Sequence, residues 1–232
     1  MRPICLICAR GGSRGIPNKN IRIINKKPLI AHTIEKAINS KIFSHVVVST
    51  EDKKIARISK KFGAEIPFIR PKNLATGTIP VGDVFLHAIK KLQTLEYEFD
   101  TFVNLDCTVP FIRKNDISNA IKLLNQKKVD AVYGVYRQHL NPYFNMMEIN
   151  SKGFLTISKK LDQRPRTRQE SPIVYQLNGL FTYDARKFLK IGDPIMKNAL
   201  PYEIPLGTGF MIDTEMEFKI AELMLRLGFN KN

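Results

Sequence analysis

Hydrophobic residues of this chain alternate between short continuous runs and helical repeats. The first run, Pro3 to Ala9, is apolar and stops at a glycine-rich turn, which is typical of a buried parallel strand. A repeat at three and four residues then predicts a helix from Pro28 to Asn39, and the run from His45 to Ser49 predicts a second strand. The chain therefore begins as a strand, a helix and a strand, the order from which parallel sheets are built.

The same alternation continues along most of the chain. Further helices are expected at Ile55 to Phe62, Val81 to Leu92, Ile117 to Leu124 and, at the C-terminus, through Leu227. Further strands are expected at Glu65 to Ile69, Thr101 to Leu105, Ala131 to Val135, Leu180 to Tyr183 and Phe210 to Ile212. Asn115 is expected to cap the third of these helices, and Thr214 with Glu217 has the spacing of a capping box for the last. This order predicts one α/β domain over residues 1–232, with a doubly wound, mostly parallel, Rossmann-like sheet.

Residues 136–175 interrupt this rhythm. Prolines and a glycine divide the segment into short strand-like pieces, and its apolar residues, such as Tyr143 and Phe144, would have no core of their own. We interpret it as an insertion, either a dimerisation arm or a lid.

Length and composition support a soluble protein. With 232 residues, of which 44% are hydrophobic, the chain can bury one sizeable core. It has no apolar run of 18 residues and no signal-peptide pattern at its beginning, so we expect a cytoplasmic protein without a membrane partner.

The net charge of +16 raises nucleic acid as a possible partner. Many lysines, however, fall in pairs on the polar sides of predicted helices, where a solvated face is the usual role. The exception is the basic loop from Lys159 to Arg168, which could meet an anionic ligand. A nucleic-acid partner is therefore not expected.

The loop from Ala9 to Asn20, ARGGSRGIPNKN, carries the main chemical signal. Its three glycines allow backbone N–H groups to approach a phosphate, and Arg10, Arg14 and Lys19 supply positive charge. The spacing fits neither a Walker loop nor a dinucleotide fingerprint. A polyphosphate site is one interpretation, and a flexible basic turn is the other.

Several blocks in fixed order, beginning with this loop, resemble the acylneuraminate cytidylyltransferases. The later blocks are VSTED (48–52), IRPKNLA (69–75), NLDCTVPFIR (104–113), NPYFN (141–145), RQ (168–169), NG (178–179) and IDTE (212–215). The blocks at 141–145 and 168–169 look most like the CMP-legionaminic acid synthetase type. The likeness covers almost the whole chain.

This resemblance implies a nucleotidyltransferase fold and a cytidylyltransferase activity. The family transfers CMP from CTP to the anomeric hydroxyl of a nonulosonic acid of the sialic, legionaminic or pseudaminic type, releases pyrophosphate, and forms homodimers. Two alternatives stay open. The chain could use another acid sugar such as the eight-carbon Kdo, or a sugar phosphate, or it could be a non-catalytic protein that binds nucleotides or nucleic acid.

The resemblance also implies roles for residues of the first loop. The positions expected to bind the nucleotide are Ala9, Arg10, Gly11, Gly12, Ser13, Arg14 and Lys19, joined by Asp106 from a later strand end. Backbone groups near Ala9 could read the cytosine base. Arg10, Lys19 and Asp213 form the expected catalytic set.

A divalent ion, Mg²⁺ or Mn²⁺, is implied as well. Asp213 matches the second aspartate of the family's DID motif, but Met211 occupies the position of the first. A thioether is a poor ligand for a hard cation, so Asp106, at the end of the strand Thr101 to Leu105, is expected to supply the second carboxylate. The alternatives are a helix-start charge for Asp213 and a turn aspartate for Asp106.

Three further positions are expected to bind the sugar. Arg168 could form a bidentate bond with the sugar carboxylate, and Gln169 could bond to an acetamido group. Asn178 is expected between sugar and nucleotide. Alternatively, Arg168 belongs to a solvated basic run.

Overall fold

A computed structural model of the chain describes residues 2–13 and 15–229. The strands are β1 Pro3–Cys8, β2 Ile23–Ile24, β3 Lys27–Pro28, β4 Val46–Ser49, β5 Thr101–Leu105, β6 Ala131–Arg137, β7 Met147–Ile149, β8 Leu155–Ile157, β9 Tyr175–Asp184 and β10 Ala199–Glu203. The α-helices are α1 Leu29–Ser40, α2 Lys53–Lys61, α3 Val81–Thr94, α4 Lys114–Lys127, α5 Ala185–Ile191 and α6 Glu215–Arg226. Short 3₁₀ turns occur at Lys19–Ile21 and Lys72–Ala75.

Six of the strands in the described residues form the central sheet, in the order β10-β6-β9-β5-β1-β4. Neighbouring strands are parallel except at β9, which runs antiparallel to β5 and to β6. Strands β2 and β3 form one small antiparallel pair, and β7 and β8 form another. The mostly parallel α/β sheet predicted from the sequence is therefore confirmed.

Both faces of the sheet are covered by helices. Along β1, Cys5 and Ile7 belong to one buried cluster, whereas Ile4 and Leu6 belong to a second. Helices α1, α2 and α4 contribute to the first cluster, and α3 and α5 contribute to the second. Successive side chains of a strand point to opposite faces, so an uninterrupted apolar run is what a sheet covered on both sides requires.

A third buried cluster holds the C-terminal helix against the loop that follows β1. Ile16 and Ile24 of that loop pack with Ile212 and with Phe218 of α6. Arg22 reinforces this contact, because its Nη1 donates to the Glu215 carboxylate at 2.5 Å and its guanidinium lies 4.3 Å from the centre of the Phe218 ring. This packing brings the start of α6 beside the glycine-rich loop.

Two of the predicted strands are wrong. Between Glu65 and Ile69 the described residues contain only a single bridge, from Glu65 to Val47, because Pro67 has no N–H with which to continue a ladder. The segment from Phe210 to Ile212 is not a strand either, because the Ile212 N–H donates to the Thr108 carbonyl, at 2.9 Å, rather than to the sheet.

Other differences concern strand β9, strand β10 and the start of α4. Strand β10 was missed because Pro201 interrupts its pattern, although proline is tolerated at the edge of a sheet. The strand predicted from Leu180 to Tyr183 is part of the longer β9. Arg113, rather than Asn115, is the N-cap of α4, where its N–H donates to Asp116 Oδ2 at 3.0 Å, whereas the predicted box of Thr214 and Glu217 at α6 is confirmed.

The segment predicted as an insertion leaves the sheet after β6 and returns at β9. Its hairpin, β7 and β8, exposes apolar side chains, among them Ile149, Phe154 and Leu155. None of the helices in the described residues has the length and apolar content needed to cross a membrane.

Candidate active site

A cavity of about 360 Å³ opens at the carboxyl ends of β1 and β5. In an open α/β sheet this edge is where ligands bind. The lining residues come from the loop after β1, from the segment that leads into α3 and from the turn after β5: Cys8, Arg10, Ser13, Lys19, Asn20, Arg70, Leu74, Thr76, Gly77, Ile79, Val81, Val84, Asp106, Cys107 and Thr108. Three cations, Arg10, Lys19 and Arg70, thus border one cavity, together with the carboxylate of Asp106.

The loop after β1 is fixed mainly by its own backbone groups. The Ala9 N–H donates to the Ser49 carbonyl at 3.1 Å, and the Arg10 carbonyl accepts from Asn20 Nδ2 at 3.0 Å. The Arg10 guanidinium is held at the cavity because its Nη1 donates to the Thr76 carbonyl at 3.0 Å. Gly12 is exposed, and a Cβ there would meet open space. Arg14 lies outside the described residues.

Gly11 differs from the expectation that its N–H would face a phosphate. Its N–H donates to Glu51 Oε1 at 2.7 Å. A Cβ at this position would lie 2.5 Å from Asp52 Oδ2, so the close passage of the loop past the end of β4 requires glycine.

Lys19 joins the first loop to the start of α6. Its Nζ donates to Asp213 Oδ1 at 2.8 Å and to the Ile212 carbonyl at 2.9 Å. The Lys19 side chain is 12% exposed, whereas that of Asp213 is 59% exposed. A Cβ at Gly15 would collide with the Asp213 carbonyl oxygen. Asp213 itself does not line the cavity, but it is bonded to Lys19, which does.

Asp106 lies at the end of β5 and is held there from two sides. Its N–H donates to the Gly179 carbonyl at 2.9 Å, and its Oδ1 accepts from Asn104 Nδ2 at 3.0 Å. Burial raises the pKa of Asp106, against the Asn104 hydrogen bond, and the charge of Asp213 raises it further, against that of Lys19. The Asp106 and Asp213 carboxylates are therefore near enough to repel each other. A cation between them would relieve this repulsion.

Arg70 and Glu51 form an ion pair that sequence reasoning missed. Arg70 Nη2 lies 2.7 Å from Glu51 Oε2, and the two side chains are 3% and 13% exposed. The only signal in the sequence was that Glu51 and Arg70 belong to two of the blocks that resemble the family, residues 48–52 and 69–75. Their contact depends on the tertiary fold.

The three residues expected to bind the sugar do not line this cavity. Arg168 and Gln169 are exposed on the segment between β8 and β9. Asn178 is fully buried, its Oδ1 accepts from the Leu180 N–H at 3.3 Å, and its Nδ2 has no hydrogen-bond partner among the described residues. A Cβ at Gly209 would lie 2.9 Å from this Nδ2, so the amide sits beneath the chain that leads to Asp213.

Another cavity, of about 470 Å³, lies on the hairpin segment. It combines apolar side chains with three cations, Lys159, Lys160 and Arg164. The Lys159 Nζ lies 5.7 Å from the centre of the Tyr143 ring. Part of the predicted basic loop, although exposed, thus lines a concave surface.

Met211 packs against the core on one face of the sheet. Within the described residues, no group of three or more histidine, cysteine, aspartate or glutamate side chains could hold a metal ion.

Taken together, these features define an α/β protein with a cationic ligand cavity at the carboxyl edge of its sheet and an acidic helix start beside it. The family model described as "Cytidylyltransferase" matches residues 4–189. The chain belongs to the cytidylyltransferase family, as its resemblance predicted, and its expected class, a nucleotide-transferring enzyme, is confirmed.

Curated relatives and a solved structure refine this placement. The "Post-translational flagellin modification protein B" of Campylobacter coli is 36% identical over 96% of this chain and 94% of its own length. The "CMP-N,N'-diacetyllegionaminic acid synthase" of Campylobacter jejuni is 36% identical over 97% of this chain and 95% of its own. A structure of CMP:2-keto-3-deoxy-manno-octonic acid synthetase complexed with CTP superposes with a TM-score of 0.74, at 17% identity, over 98% of this chain and 100% of that one. At that identity the structural likeness supports the fold alone.

Proposed function

We propose that this enzyme transfers CMP from CTP to the anomeric hydroxyl of a nonulosonic acid, of the sialic, legionaminic or pseudaminic type, and releases pyrophosphate. The observation that carries the proposal is the position of Lys19, which lines the cavity and bonds to Asp213 at 2.8 Å. One ammonium group thereby links the basic loop to the acidic start of α6. The relatives named for CMP-activated acid sugars support the substrate class. CTP is a cytoplasmic nucleotide, so we place the reaction in the cytoplasm.

The reaction makes clear demands on the site. The anomeric oxygen attacks the α-phosphorus, the bond to pyrophosphate breaks, and negative charge grows on the phosphoryl oxygens. Fixed cations and N–H donors stabilise that charge better than a protein nucleophile would. We assign this role to Arg10, Ser13 and Lys19, which line the cavity, and extend it to Arg14.

Fewer backbone N–H groups of the loop can bind phosphate than its three glycines suggested. Because Glu51 occupies the Gly11 N–H, we assign phosphate contact to the N–H groups of Gly12 and Ser13. Ala9 lies at the buried base of the loop, where its carbonyl is 3.4 Å from Arg70 Nη2. We place the cytosine base near Ala9.

The residues present fit a hard divalent ion such as Mg²⁺ or Mn²⁺. Asp106 and Asp213 offer two carboxylates, which suits an ion that takes one or two protein carboxylates and fills its remaining positions with phosphate oxygens and water. When bound, such an ion neutralises phosphate charge. Burial raises the pKa of Asp106, and the charge of Asp213 raises it further, so a cation beside this carboxylate would be favoured.

For the acid sugar we retain Arg168 and Gln169 as proposed ligands, and we propose that Asn178, whose side chain is fully buried, supports the site from beneath the chain that leads to Asp213. Arg168 and Gln169 lie on the same segment as the concave basic surface around Lys159. A guanidinium on such a surface can pair with the sugar carboxylate.

The proposed activity predicts a defined result with purified protein, CTP and Mg²⁺. Pyrophosphate release is expected with at least one member of a panel of sialic, legionaminic and pseudaminic acids, and not with Kdo. Arg10→Ala serves as the inactive control. Arg168→Ala should raise the KM of the accepted sugar by roughly tenfold, because a charge-assisted bond to its carboxylate is lost, and should leave the KM of CTP unchanged. Turnover with Kdo alone would replace the substrate class, and release no faster than the Arg10→Ala background with any sugar would refute the transferase.

We also propose that the enzyme is a homodimer that uses the segment 136–175. The hairpin leaves Ile149, Phe154 and Leu155 between 64% and 74% exposed, a large apolar area for a monomer. A solution mass of about twice 26.5 kDa is expected by light scattering. Phe154→Glu should shift this mass towards the monomer, whereas Leu223→Glu, at a 57% exposed position of α6, should not. A monomeric mass for the parent chain would contradict the proposal.

A further inference from the structure

Glu51 is a largely buried carboxylate, 13% exposed, to which the sequence assigned no role. Its two oxygens are bonded to different parts of the cavity wall. Oε1 accepts from the Gly11 N–H at 2.7 Å, and Oε2 accepts from Arg70 Nη2 at 2.7 Å. One side chain therefore ties the loop after β1 to the segment that begins at Arg70.

The positive charge of Arg70 is neutralised by this contact. Its side chain is 3% exposed, and among the described residues its ion pair is with Glu51. Its Nη2 also lies 3.4 Å from the Ala9 carbonyl, so the guanidinium reaches the base of the same loop. A buried cation that loses its counter-charge is strongly unfavourable, and the side chain would be forced to move.

The turn that carries Glu51 is itself rigid. Asp52 is the N-cap of α2, and its Oδ1 accepts from the N–H groups of Lys54 and Ile55 at 2.6 and 3.0 Å. Gly11 passes so close to Asp52 that no side chain would fit between them. The carboxylate is thus presented from a fixed support.

From these contacts we infer that Glu51 is a positioning residue for the nucleotide site. It acts through Gly11 and Arg70, holding Arg10 and Ser13 on one wall of the cavity at a fixed distance from Arg70 on the other. The inference rests on the proposed function, because it takes CTP as the nucleotide that binds in this cavity. It requires no contact between Glu51 and the substrate.

Two substitutions of Glu51 distinguish the effect of its charge from the effect of its side-chain length. Glu51→Gln keeps the size but removes the charge that Arg70 needs, and Glu51→Asp keeps the charge but is one methylene too short for both bonds. Each is expected to weaken the binding of CTP, measured by calorimetry with Mg²⁺ and without any sugar, by roughly tenfold. In turnover, the KM of CTP should rise by the same factor while the KM of the acid sugar stays within about twofold.

Glu65→Gln is the matched control. Glu65 is also hydrogen-bonded to a side chain, with Oε1 2.9 Å from His45 Nδ1, but at the opposite end of β4 and away from the cavity. Its substitution should leave CTP binding unchanged. If Glu51→Gln proves unstable in thermal melting, Glu51→Asp decides, because it keeps a negative charge near Arg70.

The inference is overturned if Glu51→Asp binds CTP as tightly as the parent chain, or if Glu65→Gln weakens binding equally. Tighter binding by Glu51→Gln would also overturn it, since Glu51 would then be an anion that competes with phosphate. A parent chain that binds CTP but turns over no sugar of the panel would refute the proposed transfer and leave this measurement decisive. A parent chain that binds no CTP would refute both.

Discussion

Lys19→Met is expected to lower kcat/KM for CTP by about 10²- to 10³-fold, the effect typical of removing one preorganised donor from developing charge. An ammonium has three N–H donors, and within the described residues its bonds to Ile212 and Asp213 use two of them. The third can serve a phosphate. Methionine fills a similar volume, so the loss reports on charge and hydrogen bonding rather than on a cavity.

Lys27→Met is the control for this substitution. Lys27 also forms an ion pair, with Glu35 at 2.6 Å, and it does not line the cavity. Lys27→Met removes one positive charge, as Lys19→Met does, and should change kcat/KM for CTP by less than about twofold. Steady-state kinetics, with melting temperatures for both variants, make the comparison. If Lys19→Met kept more than about a tenth of the parent value, Lys19 would lose its proposed catalytic role.

How far the sequence anticipates the fold depends on the element. Strand β1 and helix α3 were predicted closely because their apolar residues follow the periods of a buried strand and an amphipathic helix. Strand β10 was missed because Pro201 breaks its pattern, although only its edge position makes the proline acceptable. The antiparallel direction of β9 has no local signal at all, since a sequence does not record which way a strand runs in its sheet.

The candidate site shows a similar division. The glycines and cations of the first loop stand together in sequence, so their shared location could be predicted. The contact of Lys19 with Asp213 spans 194 residues and depends on the packing of α6 against Ile16 and Ile24. The bridge from Gly11 through Glu51 to Arg70 joins three segments, and nothing local distinguishes Glu51 from an ordinary surface carboxylate.

Asp213→Asn is expected to lower turnover by about 10²-fold or more while leaving the fold intact. Asparagine can still accept a hydrogen bond from Lys19, but it removes the charge that a divalent ion and the ammonium both require. The Asp213 side chain is 59% exposed, and an ion pair with such an exposed partner contributes little to the stability of the fold. The capping box of α6 uses Thr214 and Glu217 and is not disturbed.

The dependence of rate on Mg²⁺ distinguishes a metal ligand from a general electrostatic effect. For Asp213→Asn, the Mg²⁺ concentration at half-maximal rate should rise by roughly tenfold, since one of two carboxylates is lost. Glu215→Gln removes the same charge two residues further on, where the carboxylate bonds to Arg22 outside the cavity, and should leave that concentration unchanged. An equal shift in both variants would reduce Asp213 to part of an acidic surface. If Asp213→Asn kept more than about a third of the parent rate at saturating Mg²⁺, Asp106 and the phosphates would suffice to hold the ion. The site would then need a carboxylate neither at position 213 nor at position 211, where methionine replaces the aspartate of the family motif.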